Sequence, residues 1–273
     1  MEKRFLVLID FSTYSRDQLL LAHSWGIAIK AKLLLIHNFV VVRPALTDRQ
    51  TEKEIAAYEK EKALTRLKEF AYETLGEVPN IEFFASEKNL LLLIPEFLSQ
   101  EYDNLTFVGL KGTGPLKKIF WGSTTIDLIK NINHTVVAVP KHLSNYSPDK
   151  FYIALNRKFQ LNTSELEYLL YLFGSQIKNM VFISVITELD DHSSTVKYLR
   201  ALVDKYVKLK NSSYQVFEGE NAFKEIKELM EKQSNAILLV QRGSRSLIDQ
   251  IFRKFLVNEL VYDGSIPLIV LPE

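Results

Sequence analysis

Leu105-Thr106-Phe107-Val108-Gly109-Leu110-Lys111-Gly112, then nine residues, then Gly122-Ser123-Thr124, is the stretch on which the reading of this chain turns. Its first four residues are an apolar run of the β-favouring type, and Thr125 to Asn131 has helical spacing, so the order is strand, loop, helix. Glycines directly after a buried strand let the backbone come close to a ligand, because no Cβ intervenes. A Gly-Ser-Thr at a helix start presents unpaired N–H groups, two hydroxyls and the positive end of the helix dipole. Together these features predict a pocket for phosphate.

Working outward, the same alternation continues in both directions. Upstream, Phe5 to Ile9 reads as a buried strand ending in the carboxylate of Asp10. Ser12 then marks a helix start, with an apolar pattern at Leu19, Leu20, Ala22, His23 and Ile27. Leu33 to Val42 is a second β-rich run, followed by a charged helix from Asp48 to Leu75 with Ile55, Leu64, Leu67 and Ala71 toward one side. Its remaining charges read as a solvent-facing surface with pairs such as Glu59 and Lys62. Ile81 to Ala85 is a third strand, Asn89 to Gln100 a helix that Pro95 should kink or delay, and Thr135 to Val139 a strand after the glycine loop. Strands alternating with helices imply a parallel sheet with helices on both faces.

The order then restarts. Phe151 to Asn156 parallels the first strand, with Asn156 where Asp10 stood. Met180–Ile186, Tyr214–Glu218, Ala236–Val240 and Pro267–Leu271 read as strands, and Ser194–Lys208 and Phe223–Lys232 as helices. Sliding the first half by 132 residues lays Leu105–Pro140 on Ile237–Pro272 without a gap, with identities at Val108/Val240, Ile119/Ile251, Phe120/Phe252, Leu128/Leu260 and Pro140/Pro272. The unbroken register argues for internal duplication. The expected fold is therefore α/β, as two tandem doubly wound domains with five parallel strands each, spanning 1–143 and 150–273 and joined through the polar segment Lys141 to Lys150.

The two halves differ where ligand chemistry would sit. In that register Gly109 becomes Gln241, Gly112 becomes Ser244, Gly122 becomes Lys254 and Ser123 becomes Phe255. Core positions are kept while the positions that would let a phosphate reach backbone amides gain side chains. The first half is expected to bind a nucleotide and the second is not.

Composition narrows the function classes. Lys+Arg 34 against Asp+Glu 33 leaves a net charge of +1, which gives no electrostatic grip on nucleic acid or a membrane surface. Apolar runs such as Leu90–Ile94 are too short to span a bilayer, and Met1-Glu2-Lys3-Arg4 leads into a strand without a secretory pattern. The absence of cysteine excludes disulfides and thiolate sites and fits a reducing cytoplasm. The histidines at 23, 37, 134, 142 and 192 have no metal-ligand spacing.

The pattern Gly109-x2-Gly112-x9-Gly122-Ser123, after a first strand that ends in Asp10-Phe11-Ser12, resembles the ATP-binding type of the universal stress protein family. The second half is similar to a degenerate copy, so the chain resembles a tandem member. The resemblance implies an adenine nucleotide alpha hydrolase-like, Rossmann-like sandwich with ATP across the carboxyl ends of the strands, Mg2+ being a compatible companion. It implies that Asp10, Ser12 and the second-strand position occupied by Asn38 face adenosine, and that Val108, Gly109, Lys111, Gly112, Gly122, Ser123 and Thr124 hold ribose and phosphates. Asn38 departs from the usual apolar residue there. Family members commonly pair through the last strand, which here implies pairing of the domains within one chain and allows a homodimer.

Rival phosphate motifs fail on residues. Gly109 to Gly114 continues into Pro115-Leu116, unlike a Walker loop, and Gly112-x-Gly114 ends on Lys117, unlike a dinucleotide fingerprint. No nucleophile–base pair or carboxylate dyad lies near the loop, so a cradle is expected more than a catalyst, with room for slow ATP hydrolysis. The resemblance thus implies a cytoplasmic, ATP-binding stress-response regulator. The competing expectations are an interaction module of the same fold that holds no nucleotide, or holds a different metabolite, and an adenylating enzyme, whose Ser-Gly-Gly-x-Asp-Ser loop this chain lacks.

Overall fold

The computed structural model describes residues 1–273 apart from 44–47, 110–121, 141–142, 144–145, 234 and 244–266, and for 122–126 and 223 it describes the backbone only. In chain order the described elements of the first half are β1 Glu2–Leu8, α1 Ser15–Ile29, β2 Lys32–Asn38, α2 Arg49–Leu75, β3 Ile81–Ser86, α3 Leu90–Leu98, β4 Tyr102–Gly109, α4 Gly122–Asn131 and β5 Val136–Val139. Those of the second half are β6 Lys150–Ala154, α5 Thr163–Phe173, β7 Asn179–Ile186, α6 His192–Tyr206, β8 Asn211–Glu218, α7 Ala222–Glu231, β9 Ala236–Gln241 and β10 Leu268–Leu271.

The strands form one ten-stranded sheet in the order β3-β2-β1-β4-β5-β10-β9-β6-β7-β8. Within each half all pairings are parallel, as the alternation of strands and helices requires. Phe5, Leu6 and Val7 of β1 are fully buried, because helices cover both sheet faces. One face carries α1, α2, α5 and α6 over Phe5, Val7, Phe107, Phe151 and Phe182. The other carries α3, α4 and α7 over Leu6, Ile36, Val108, Ile183 and Leu238.

The halves meet through their last strands. β5 and β10 pair antiparallel, with Val137 opposite Ile269. Those are the two residues that the 132-residue offset equates, so equivalent strands face one another about that pair. On the face above, Trp25 of α1 packs edge-on against Phe173 of α5 at 5.2 Å. The connecting segment is less of a free linker than its polarity suggests: Leu143 and Pro148 are buried, and Trp25 Nε1 donates to the Tyr146 carbonyl at 3.1 Å.

Polar contacts complete this junction. Thr135 Oγ1 donates to Glu165 at 2.6 Å, Tyr168 donates its hydroxyl to the Asn104 carbonyl at 3.0 Å, and His134 Nε2 lies 2.9 Å from the same oxygen. Burial lowers the His134 pKa below 6.5, although Glu165 and the Asn104 carbonyl pull it upward. Burial also lowers His23 and His37. An unfolded imidazole then takes up a proton at a pH where the folded one does not, so stability is lost as the pH falls below about 6.5. The downward-shifted carboxylates Asp48, Asp190 and Asp191 do not add to this loss near pH 5, where they remain ionised. The melting temperature should drop between pH 7.5 and pH 5, and the drop should shrink in His134→Asn. A drop of the same size in that variant would remove His134 from the account.

The structure corrects three local expectations. The second strand stops at Asn38 rather than Val42, because the Asn38 amide turns to cap the carbonyls of Ser86 and Lys88, both at 2.8 Å. α1 buries Gln18, Leu21, Ala22, Trp25 and Ile29, whereas Ile27 is 67% exposed. α5, which the sequence reading passed over, is buried through Leu166, Leu169, Leu170 and Phe173 and capped by Asn162. The long helix, by contrast, begins where expected, with Asp48 accepting from the amides of Gln50 and Thr51. α3 runs through Pro95 to Leu98.

Candidate functional site

In the first half the order β3-β2-β1-β4-β5 makes the β1/β4 boundary the point from which successive connections leave in opposite directions. Open α/β sheets form their ligand crevice outside the carboxyl ends of strands at such a point. The parallel register, with Val7 beside Phe107, brings the Asp10 turn and Gly109 to that one edge.

The turn after β1 is built by Asp10. Its Oδ1 accepts from the Ser12 amide at 2.9 Å and the Ser15 hydroxyl at 2.7 Å, while Ser12 Oγ accepts weakly from the Tyr14 amide at 3.4 Å. Asp10 Oδ2 takes no hydrogen bond among the described residues. Phe11 sits at φ 57°, a left-handed conformation that costs a non-glycine residue about 1 kcal/mol. Its ring lies 4.5 Å from His37 and 4.1 Å from the Arg66 guanidinium, with Phe70 edge-on at 5.6 Å. His37 Nδ1 in turn meets the Ile9 carbonyl at 2.7 Å. Asp10, Phe11, His37 and Arg66 thus make one layered group over the ends of β1 and β2. The sequence reading missed Phe11 and Arg66 as site residues, since a ring–guanidinium stack between distant elements leaves no local pattern.

Gly109 ends β4 against α1. A Cβ there would come to 3.2 Å from both Gln18 Oε1 and the Tyr14 Cβ, so the glycine lets the helix start pass close to the strand end. Gln18 is itself buried, and its amide donates to the carbonyls of Leu8 at 3.0 Å and Phe107 at 2.8 Å, which ties β1 to β4 directly beneath the site. Gln18 is a second residue that sequence reasoning missed.

Of the other expected site residues, Asn38 lies beyond His37 at the same edge with both amide protons committed and Oδ1 without a partner among the described residues. Val108 is buried in β4 and faces the core, so only its backbone could meet a ligand. Gly122 begins α4, as the motif requires of a helix start. The side chains of Ser123 and Thr124, together with Lys111, Gly112 and the spacer up to Trp121, lie outside the described residues, as do Ser244, Lys254 and Phe255 of the second half.

Solved structures decide the architecture. A universal stress protein from Archaeoglobus fulgidus DSM 4304 matches with a TM-score of 0.62 at 17% identity, covering 99% of this chain and 96% of that one. The fold is that of the universal stress proteins. A Pseudomonas aeruginosa UCBPP-PA14 protein described as a universal stress protein matches at 0.54 and 13%, covering 99% and 93%. The cytoplasmic domain of a prokaryotic cation chloride cotransporter matches at 0.55 and 11%, covering 99% and 95%. No protein-family model and no curated protein sequence matches the chain. Among the described residues no helix is long and apolar enough to cross a membrane.

Within this universal stress protein fold the two halves treat the same edge differently. Asn156 repeats the Asp10 turn, its Oδ1 accepting from the Lys158 amide at 2.9 Å. Gln241, which replaces Gly109, reaches across the edge: its Oε1 accepts from the Asn162 amide at 2.5 Å and its Nε2 donates to the Gln160 carbonyl at 3.0 Å. The position that is a bare glycine packed against α1 in the first half carries a bridging side chain in the second. Gly243, at φ 94°, lies under Glu273, whose Cγ would stand 2.7 Å from a Cβ there.

A cavity of about 590 Å3 opens at the opposite, amino-terminal edge, lined by His23, Ile27, Lys30 and Pro79 among others, and one of about 260 Å3 lies at the carboxyl edge between Phe39, Ala56, Phe84 and Glu87. Neither cavity is lined by Asp10 or Gly109, so the carboxyl edge is the candidate on strand order and not on cavity volume.

Proposed function

We propose that the first half binds an adenine nucleotide, ATP by preference, and that the chain works as a nucleotide-responsive stress-response module and not as an enzyme. The observation that carries this reading is the polarity of the carboxyl edge. Acceptor oxygens of Asn38, at the end of β2, and Asp10, in the turn after β1, are followed by Gly109 on β4 and then by the amide-bearing start of α4 at Gly122. Acceptors suit the amino and hydroxyl groups of adenosine, and free helix amides suit phosphate. The residues present therefore fit the group: Asp10 and Asn38 would hold the nucleoside, and the backbone of Gly109 and Gly122 the phosphates. Bound ATP would supply charge and a hydrolysable anhydride, and Mg2+ is compatible with it. Lys111, Gly112, Ser123 and Thr124 belong to the same reading on their sequence positions.

The universal stress protein fold and the antiparallel β5–β10 pairing support a tandem arrangement of domains 1–143 and 150–273 with the second acting as a degenerate partner. A cysteine-free composition fits the proposed residence in the cytoplasm, and the near-neutral charge argues against nucleic-acid partners.

One observation favours a second reading, an interaction module of the same fold without nucleotide. Asp10, Asn38 and Gly109 each already have a structural task, in a turn, a strand cap and a helix contact. Native mass spectrometry of gently purified protein separates the two. The nucleotide reading expects a fraction carrying an added mass of ATP or ADP, or one that appears on adding micromolar ATP. Only the bare chain at millimolar ATP would favour the interaction module.

A further inference from the structure

Arg242, the residue after β9, leaves its own half. Its Nη1 donates to the carbonyls of Lys130 at 2.7 Å and Ile132 at 3.0 Å and lies 3.5 Å from that of Ile129, at the end of α4 and the residue after it in the first half. Nε faces Glu273 at 3.9 Å, and the Arg242 amide donates to the Leu271 carbonyl at 2.9 Å, so the guanidinium is delivered from a fixed turn. The final carbonyls of a helix have no partner of their own, and a cation there also meets the negative end of the dipole. In the 132-residue register Arg242 stands where the first half has Leu110, an apolar residue that cannot donate. The two positions that open the degenerate loop have thus both been turned to holding protein: Gln241 braces the turn before α5, and Arg242 braces α4.

α4 is a single ten-residue helix, about 15 Å long, and its other end is Gly122. We propose that Arg242 is a positioning residue for the nucleotide site, through which the second half sets the affinity of the first. The inference rests on the nucleotide reading given above. A helix held at its carboxyl end has less freedom to lose when phosphate is held at its amino end. The two contacts therefore favour one another, and the coupling acts in both directions. The degenerate half is then the regulatory partner of the binding half, and whatever displaces Arg242 from α4 loosens the phosphates.

The test compares ATP with adenosine by calorimetry on the full chain. Arg242→Met should weaken ATP about fivefold, the low end of measured couplings, and leave adenosine within twofold, because only the phosphates would touch α4. Arg242→Lys keeps the charge without the planar fork and should fall between. Unchanged ATP affinity in Arg242→Met overturns the inference alone, as does an equal loss for ATP and adenosine, which would mark a general loosening. Failure of ATP to bind the unaltered chain overturns the nucleotide reading and this inference with it. Should Arg242→Met not fold, hydrogen exchange on the unaltered protein decides. ATP should slow exchange over residues 128–132, and protection confined to the start of α4 would overturn the coupling.

Discussion

Gly122→Lys combined with Ser123→Phe is expected to lower ATP affinity at least about a hundredfold while the melting temperature changes by only a few degrees. The pair installs in the first half the residues that the register places at 254 and 255 in the second. The start of α4 is the one described place at this edge where a helix begins with glycine, so its first amides can be approached without a Cβ in the way. A lysine stem and a phenyl ring there occupy the space the phosphate oxygens need. Hydrogen bonds to charged groups contribute about 1.5–3 kcal/mol each, so losing two accounts for a hundredfold or more. The fold should survive, because glycine is a poor helix residue and lysine a good one. Calorimetry reads the affinity and a thermal melt controls for folding. An affinity within threefold of the original would show that ATP, if bound, is held elsewhere.

Arg4→Met should destabilise the protein by about 2–4 kcal/mol. Arg4 is 3% exposed at the start of β1, where a charge is tolerated only because its donors are used. Nε donates to Asn104 Oδ1 at 3.0 Å, Nη1 to Gln100 Oε1 at 2.8 Å and Nη2 to the Phe97 carbonyl at 2.9 Å, with the guanidinium 3.9 Å over the Tyr102 ring. Methionine keeps the stem and removes every donor, which leaves the Phe97 carbonyl and the Asn104 amide oxygen buried without those bonds. The same network aligns β1 with β4 at the amino end, as Gln18 does at the carboxyl end, so it fixes the register that brings Asp10 beside Gly109. Denaturant titration checks the value. A loss under 1 kcal/mol would mean that water or neighbouring side chains replace these bonds.

How much of this was legible depends on whether the signal was local. The buried strands were, because a strand covered on both faces reads as an unbroken apolar run, as Phe5 to Ile9 does. Pairing of the two last strands was anticipated by the family resemblance alone, and the 132-residue offset then identifies the facing residues Val137 and Ile269 as equivalents. The phase of α1 was hidden by Leu19-Leu20-Leu21-Ala22, a run that fits any helical face until Trp25 and Ile29 are seen to be buried. α5 was legible too, since Asn162 followed by Leu166, Leu169 and Phe173 carries a cap and a helical period, and no physical feature hid it.

At the site, the placement of Asp10, Asn38, Gly109 and Gly122 on one edge follows from strand order and was readable. The engagement of the Asp10 carboxylate by Ser15 and of the Asn38 amide by Ser86 and Lys88 was not, because it depends on which way each side chain turns. Arg242 is the extreme case. Its partners lie more than a hundred residues away, in the other half.

The central claim, a nucleotide site in the first half and none in its degenerate partner, is met most directly by titrating ATP into the full chain in a calorimeter. Saturation at one ATP per chain, lost in the Gly122→Lys and Ser123→Phe variant, is the expected result. Two equivalent sites, or one that survives those substitutions, would contradict it.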